Sequence, residues 1–285
     1  MHPQKNTDFR LLHNPRMYTT LITAEQLQQL MSSGTPLRVF DCTYELMNPD
    51  AGQAQFETEH IPGSVHVHLD RHLRDKTAPD RASGGRHPLP SRATFAARLG
   101  ALGLGNDMQA VVLDRQAITT SGRLWWMLKW CGHEAVAVLD GGLATWKAAG
   151  GAVVSGPAPA PAPGHFTLQP AAASTASTRS LLDSLGRPPQ TLIDARAGAR
   201  FRGEMEPLDP VAGHIPGALN RPFAENLGPD GRFKPASQLR AEFEHLLAGR
   251  APANVVHHCG SGVSAIPNLL AMEIAGLGRT ALYPG

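Results

Sequence analysis

The 285-residue sequence predicts an α/β protein made of two copies of one unit, each a parallel sheet flanked by helices. Three observations carry this prediction. His60-Ile61-Pro62-Gly63 returns as His214-Ile215-Pro216-Gly217, 214 − 60 = 154 residues later and in matching surroundings. Between the copies, Gly156–Gly164 reads Gly-Pro-Ala-Pro-Ala-Pro-Ala-Pro-Gly, where prolines remove amide donors and favour extended chain over helix. Within each copy, short β-branched runs alternate with helical segments such as Thr23–Ser32, Ser121–Cys131, Ser237–Leu247 and Ser264–Ala275. That alternation is the mark of a parallel sheet with ligands at the carboxyl ends of its strands.

The first copy is assigned to residues 18–150. Its strand Val39-Phe40-Asp41 ends in aspartate, and a polar stretch holding Phe56 leads to the His-Ile-Pro-Gly segment and a short strand over 64–69. Ala110–Asp114 is the next strand, followed by a loop and a helix bearing Trp125, Trp126 and Trp130 at the spacing of a core or an interdomain seam. Residues 151–170 form the linker, whose alternating prolines make a semi-rigid strap. The second copy, 171–285, repeats the order with Leu192-Ile193-Asp194, Ala218–Phe223, Val255–Cys259 and Leu282–Gly285. The first copy continues past Gly142 into the helical segment 143–147, for which the second has no counterpart. It is therefore expected to lack its last covering helix, with an exposed apolar patch near Tyr283 if the chain ends at Gly285.

Composition narrows the function. With 26 basic and 24 acidic residues the net charge is +2, and no basic arm or stripe invites nucleic acid or an anionic membrane surface. No run of about 18 apolar residues suits a membrane span. Met1–Tyr18 has no hydrophobic run suited to a secretory signal, and Asp8 among Lys5, Arg10 and Arg16 counts against a transit peptide. The three cysteines, Cys42, Cys131 and Cys259, form neither a metal pattern nor an even disulfide framework. A cytoplasmic protein with free thiols is expected, without metal, nucleotide or flavin; Cys42 and Cys131 read as packing thiols.

The third thiol is different. Val255-Val256-His257-His258-Cys259-Gly260-Ser261-Gly262-Val263-Ser264-Ala265 reads as a buried strand, a tight loop and a helix start. In such a loop consecutive amides turn inward and the helix start adds positive potential, which favours an anion. Cysteines so placed ionise at about pH 3.5 to 7.5, against about 8.5 when free, making Cys259 a candidate nucleophile. Cysteine phosphatases need an arginine six residues after the cysteine to grip the phosphate, and Ala265 stands there. A cysteine persulfide carries at most one negative charge and needs no such residue.

Cys-Gly-Ser-Gly-Val-Ser resembles the active loop of the rhodanese superfamily, and among its members that of the 3-mercaptopyruvate sulfurtransferases, which read Cys-Gly-Ser-Gly-Val-Thr. The resemblance covers about residues 18–285 and implies two tandem rhodanese-like domains, the second catalytic. It implies a Cys259 persulfide cradled by Gly260, Gly262, Val263 and Ser264, and a proton relay of Ser261, His60 and Asp50. Ala199-Arg200-Phe201-Arg202-Gly203 matches the family's Gly-Arg-Phe-Arg-Gly, so Arg200 is the expected ligand of the donor's carboxylate. The family's second arginine falls on Leu208, and Arg86, Arg115 or Arg123 is left to replace it. Thiosulfate sulfurtransferases carry a basic pair after the cysteine; here Gly260 and Ser261 disfavour a doubly charged donor. The acceptor is expected to be a thiol, small or on a thioredoxin-like protein. Thiosulfate:cyanide transfer and a non-catalytic binding or sulfur-sensing module remain the alternatives.

The first copy places Asp114 or Arg115 opposite Cys259 and lacks closely spaced glycines, so it is expected to be catalytically silent. His60 and His214 share one motif, which also fits a turn or strand-entry device.

Overall fold

The computed structural model describes residues 17–187 and 189–285, so Lys5, Asp8, Arg10 and Arg16 lie outside the described residues. The first half runs β1 (Leu21–Ile22), α1 (Ala24–Ser32), β2 (Leu37–Asp41), α2 (Ala51–Thr58), β3 (Val65–His66), α3 (Arg92–Ala101), β4 (Gln109–Leu113), α4 (Thr119–Trp130), β5 (Val136–Leu139) and α5 (Gly142–Ala148). The second runs β6 (Ser174–Thr175), α6 (Thr178–Ser184), β7 (Thr191–Asp194), α7 (Gly198–Phe201), β8 (Leu219–Asn220), α8 (Ala236–Leu247), β9 (Val255–His258), α9 (Ile266–Ile274) and β10 (Ala281–Leu282). The strand orders, β1-β5-β4-β2-β3 and β6-β10-β9-β7-β8, are identical once each number is advanced by five, and the pairings are parallel. The repeat in the sequence is thus a repeat of topology.

Local chemistry explains the elements. Every residue of β4, Gln-Ala-Val-Val-Leu, is buried, as expected for a central strand covered on both faces. Helix α1 starts in a capping box: Gln26 N–H donates to Thr23 Oγ1 at 3.3 Å and Thr23 N–H to Gln26 Oε1 at 2.9 Å. The His-Ile-Pro-Gly segments are tight turns into β3 and β8. Gly63 and Gly217 take φ of +74° and +82°, and Ser64 and Ala218 donate back to Ile61 and Ile215 at 3.0 Å. Proline before a left-handed glycine is the composition this turn requires.

Residues 157–170 hold no helix or strand and lie along the first half: Gly164 N–H donates to Gly100 O at 2.8 Å, and Thr167 N–H to Asn106 Oδ1 at 2.7 Å. The halves also interlock directly. One apolar cluster draws residues from both, including Trp125, Trp126 and Trp130 of α4 and Ile266, Leu269 and Leu270 of α9. Lys129 of α4 is buried, lies over the Trp125 ring, and pairs with Glu273 at 2.7 Å. Cys42 and Cys131 are buried free thiols, and burial pushes Cys131 up to about 11. Past β10, Tyr283 is half-buried and its hydroxyl lies 3.1 Å from Thr178 Oγ1; no helix follows among the described residues.

Candidate active site

Cys259 directly follows β9, whose His258 pairs with Asp194 at the carboxyl edge of the second sheet. It is half-buried, and the Ser261 amide donates to Sγ at 3.5 Å, so the loop bends its main chain back toward the sulfur. Gly262 makes that bend. Its φ is +63°, and a β-carbon there would stand 2.6 Å from Pro284 Cα, so only glycine fits. Ser261 and Val263 are buried beside it, and α9 begins at Ile266 with Pro267 in its first turn.

Beneath the loop lies Arg123 of α4, fully buried. Its guanidinium donates to Gly262 O (2.9 Å), His87 O (2.9 Å) and Leu73 O (3.5 Å), tying three segments together, while its Nε has no partner. Burial lowers its pKa to about 10, with the nearby Cys259 sulfur acting in the opposite direction, so Arg123 stays cationic at neutral pH. No carboxylate pairs with it among the described residues. Because carbonyl and amide point oppositely in a trans peptide, holding Gly262 O turns Val263 N–H away from Arg123.

The equivalent position in the first half is Asp114, directly after β4, and its loop is not open. Asp114 Oδ1 accepts from Gln116 N–H (3.0 Å) and Ile118 N–H (2.9 Å), and Oδ2 accepts from Ser121 N–H and Oγ (both 2.8 Å). The missing glycines predict that this loop does not cradle a persulfide. It holds Asp114's own carboxylate instead, with Ala117 and Ile118 in the left-handed region at φ of 55° and 65°. Burial raises the Asp114 pKa against the pull of those donors.

Two cavities meet at Gly260. A cleft of about 500 Å³ is lined from the first half by Tyr44, Arg86 and His87, and from the second by Arg200, Leu208 and Ser261. A hollow of about 260 Å³ is lined by Cys259, Asp209, Arg196 and Tyr283. Arg200 lines the cleft, yet its guanidinium is engaged: it donates to Glu206 Oε1 at 2.7 Å and to Asp209 Oδ2 at 2.9 Å. Burial disfavours ionised Glu206, but hydrogen bonds from Arg200 and from the Leu208 and Asp209 amides hold its pKa at about 2. Of the arginines left to replace the missing one at Leu208, Arg86 reaches this cluster and bonds Asp209 from across the domain boundary. Arg115 turns to Glu59 O (2.6 Å), and Arg123 lies under the loop.

The expected relay of Ser261, His60 and Asp50 is not assembled. His60 is buried against Phe56, ring centroids 4.0 Å apart, with Nδ1 2.8 Å from Phe56 O, and lines neither cavity. His214 repeats the device on Phe201, with a 3.7 Å stack and Nδ1 2.7 Å from Phe201 O, so both histidines brace the turn they begin. The Asp50 side chain is 89% exposed and pairs with Arg71 at 3.5 Å. The histidine at the cleft is His87, 3% exposed, with an unpartnered Nδ1. Burial, reinforced by Arg123, Arg74 and Arg86, lowers its pKa to about 4, so it is neutral at physiological pH. Its setting in Gly-Gly-Arg-His-Pro, a loop rich in turn residues, is the only sign of it in the sequence.

Comparison with known proteins agrees with the topology. The rhodanese-like domain family matches residues 23–149, the half that lacks the Cys259 loop. The chain is 46% identical, over 93% of its length and 92% of the other, to a probable 3-mercaptopyruvate sulfurtransferase of Pseudomonas aeruginosa. It is 31% identical to the thiosulfate sulfurtransferase of Bos taurus, over 94% and 91%. Among solved structures, the 3-mercaptopyruvate sulfotransferase SseA of Escherichia coli superimposes with a TM-score of 0.79 at 30% identity, covering 94% of this chain and 98% of that one. Duplicated fold, cysteine loop and full-length similarity together show that the chain belongs to the rhodanese superfamily, among its two-domain sulfurtransferases.

Proposed function

We propose that the protein takes the thiol sulfur of 3-mercaptopyruvate onto Cys259, where it becomes the sulfane sulfur of a persulfide, and passes it to a thiol. The observation that carries this reading is the cleft at the cysteine loop: Arg86 and Arg200 converge above Gly260, where a carboxylate belongs, and neither Gly260 nor Ser261 brings a charge to the loop. In the first half-reaction the Cys259 thiolate attacks the donor's sulfur. The carbon–sulfur bond breaks, its electron pair leaves on carbon as the enolate of pyruvate, and the donor's thiol proton, given up as the persulfide forms as its anion, is carried to that carbon. Ser261 and neutral His87 share the cleft and are proposed to relay it. The resulting persulfide anion is held by the Ser261 amide and by the buried charge of Arg123. In the second half-reaction an acceptor thiolate attacks the outer sulfur and Cys259 departs as thiolate. Exposed Leu46 and Met47 at the cleft rim offer apolar surface to an acceptor carried on a thioredoxin-like protein.

Thiosulfate is the second reading, favoured by two guanidinium groups near the loop and by the similarity to the bovine enzyme. Steady-state transfer to cyanide with each donor, for wild type and Cys259→Ser, separates them. Mercaptopyruvate is expected to give the higher kcat/KM, and Cys259→Ser to abolish both activities. Equal rates for the two proteins would leave a binding module.

A further inference from the structure

Asp209 sits where the donor's carboxylate should go. Its Oδ2 is 2.9 Å, Arg86 Nη2 3.2 Å and Arg200 Nη2 3.7 Å from the point a Gly260 β-carbon would occupy, so one carboxylate lies between two guanidiniums directly over the loop. Asp209 lines the hollow that holds Cys259, whereas both of its arginine partners line the cleft, so the bridge runs along the boundary between the two spaces. Arg86 belongs to the first half and Asp209 to the second, so this pair ties the two halves together beside the cysteine loop.

The charges say which group can leave. Glu206 is buried, clamped by Arg196 and Arg200 and by two amides, and is a fixed counter-ion. Asp209 and Arg86 side chains are each 26% exposed, so Asp209 can turn to water. Arg86, Arg196 and Arg200 are balanced by Asp194, Glu206 and Asp209. A donor carboxylate added to this set leaves one excess negative charge; a donor carboxylate exchanged for Asp209 leaves none.

We infer that Asp209 is a resident carboxylate that closes the donor site, and that an α-keto-acid donor binds by displacing it from Arg86 and Arg200. This deepens the mercaptopyruvate reading and rests on it. Arg86 thereby fills the role left open at Leu208, from the opposite domain.

The test uses pyruvate, which carries the donor's carboxylate without its sulfur, titrated calorimetrically into wild type, Asp209→Asn, Arg86→Ala and the double variant, with melting temperatures in parallel. Asp209→Asn should bind pyruvate about three- to tenfold more tightly, the value of the ion pairs no longer broken, and should lower the mercaptopyruvate KM in the same proportion. Arg86→Ala should weaken pyruvate binding when combined with Asp209→Asn as well as alone. Iodoacetate, relative to neutral iodoacetamide, should alkylate Cys259 faster in Asp209→Asn than in wild type. Unchanged or weaker pyruvate binding by a folded Asp209→Asn protein makes Asp209 a structural tie and overturns the inference. Tighter pyruvate binding without turnover of mercaptopyruvate by wild type would keep the gate and remove the donor assignment instead.

Discussion

Adding one methyl group at Gly262 or at Gly260 tests whether the cysteine loop is held by main-chain geometry. At Gly262 the φ of +63° lies in the region where a side chain costs about 1–2 kcal/mol. The new β-carbon would also meet Pro284 Cα at 2.6 Å, its O at 3.0 Å and its C at 3.1 Å, all backbone atoms that cannot rotate away. Strain and displacement together should cost about 2–4 kcal/mol, lowering Tm by about 3–7 °C. The Ser261 amide should move off the sulfur as the bend opens, so kcat should fall at least about tenfold. At Gly260 there is no left-handed φ, and the atoms nearest a β-carbon would be the ends of the Asp209, Arg86 and Arg200 side chains. Gly260→Ala should therefore melt within about 2 °C of wild type and express its effect in KM. Thermal unfolding followed by circular dichroism, with kcat and KM in the cyanide assay, reads both variants. A Gly262→Ala protein as stable and active as wild type would refute the claim that this bend cradles the sulfur.

The remaining predictions concern the groups around that loop. Arg123→Met removes a buried cation and three hydrogen bonds to main-chain carbonyls, each worth about 1.5–3 kcal/mol, so it should destabilise strongly. Arg123→Lys keeps the charge without the fork, and should show higher iodoacetamide reactivity at low pH than the Met variant when both are assayed below their melting temperatures. In the proposed relay His87 transfers a proton and does not bind the donor, so His87→Asn should cut kcat with mercaptopyruvate while leaving pyruvate affinity within about threefold; a pure KM effect would argue against the relay. Three histidines, the half-buried His72 and the buried His87 near pKa 4 and the buried His257 near 3, are neutral in the fold and bind protons once unfolded. Their contribution is full above about pH 6.5 and is lost as pH falls toward 4, which urea midpoints across that range should show. Glu206, depressed to about 2, adds a second decline below pH 4.5, absent from Glu206→Gln.

The duplicated α/β architecture was legible because topology is written in signals that survive in a linear string: strand composition, a proline strap, and a Pro-Gly turn repeated 154 residues apart. The candidate nucleophile was legible for the same reason, since the cysteine and the glycines that bend its loop are contiguous. The partners of Cys259 from the other domain were not. His60 fell in a motif shared with His214, and the shared part proved to be the turn: each ring stacks on a phenylalanine and bonds its carbonyl, Phe56 in one copy and Phe201 in the other. Arg86, His87 and Arg123 converge through an interface whose geometry depends on how α4 lies on α9, and no spacing along the chain encodes that. Arg200 lies at the cleft that its motif suggests, whereas its engagement by Asp209 and Glu206 could be seen only with the loop folded back.

The two loops show how one scaffold yields a closed and an open copy. In both, a strand of the parallel sheet ends in a turn that directs amides at the side chain of its first residue, and in both that residue is an anion or a potential one. In the first copy four donors close on Asp114, a carboxylate of the right length to satisfy them, and burial keeps solvent away. The loop's donors are already taken, because the charge they hold is covalently part of the chain. In the second copy the first residue is a thiol that satisfies one amide at 3.5 Å, so capacity is left for a second sulfur, and the sulfur opens onto a hollow. The first half then contributes from outside the loop, supplying Arg123 beneath the sulfur and Arg86 and His87 to the cleft. Replacing Asp114 by Cys would test this directly. The loop would lose three of its four hydrogen bonds to one side-chain acceptor, and the variant should be less stable by at least about 2 kcal/mol without gaining transfer activity, since no converging pair of guanidiniums faces it.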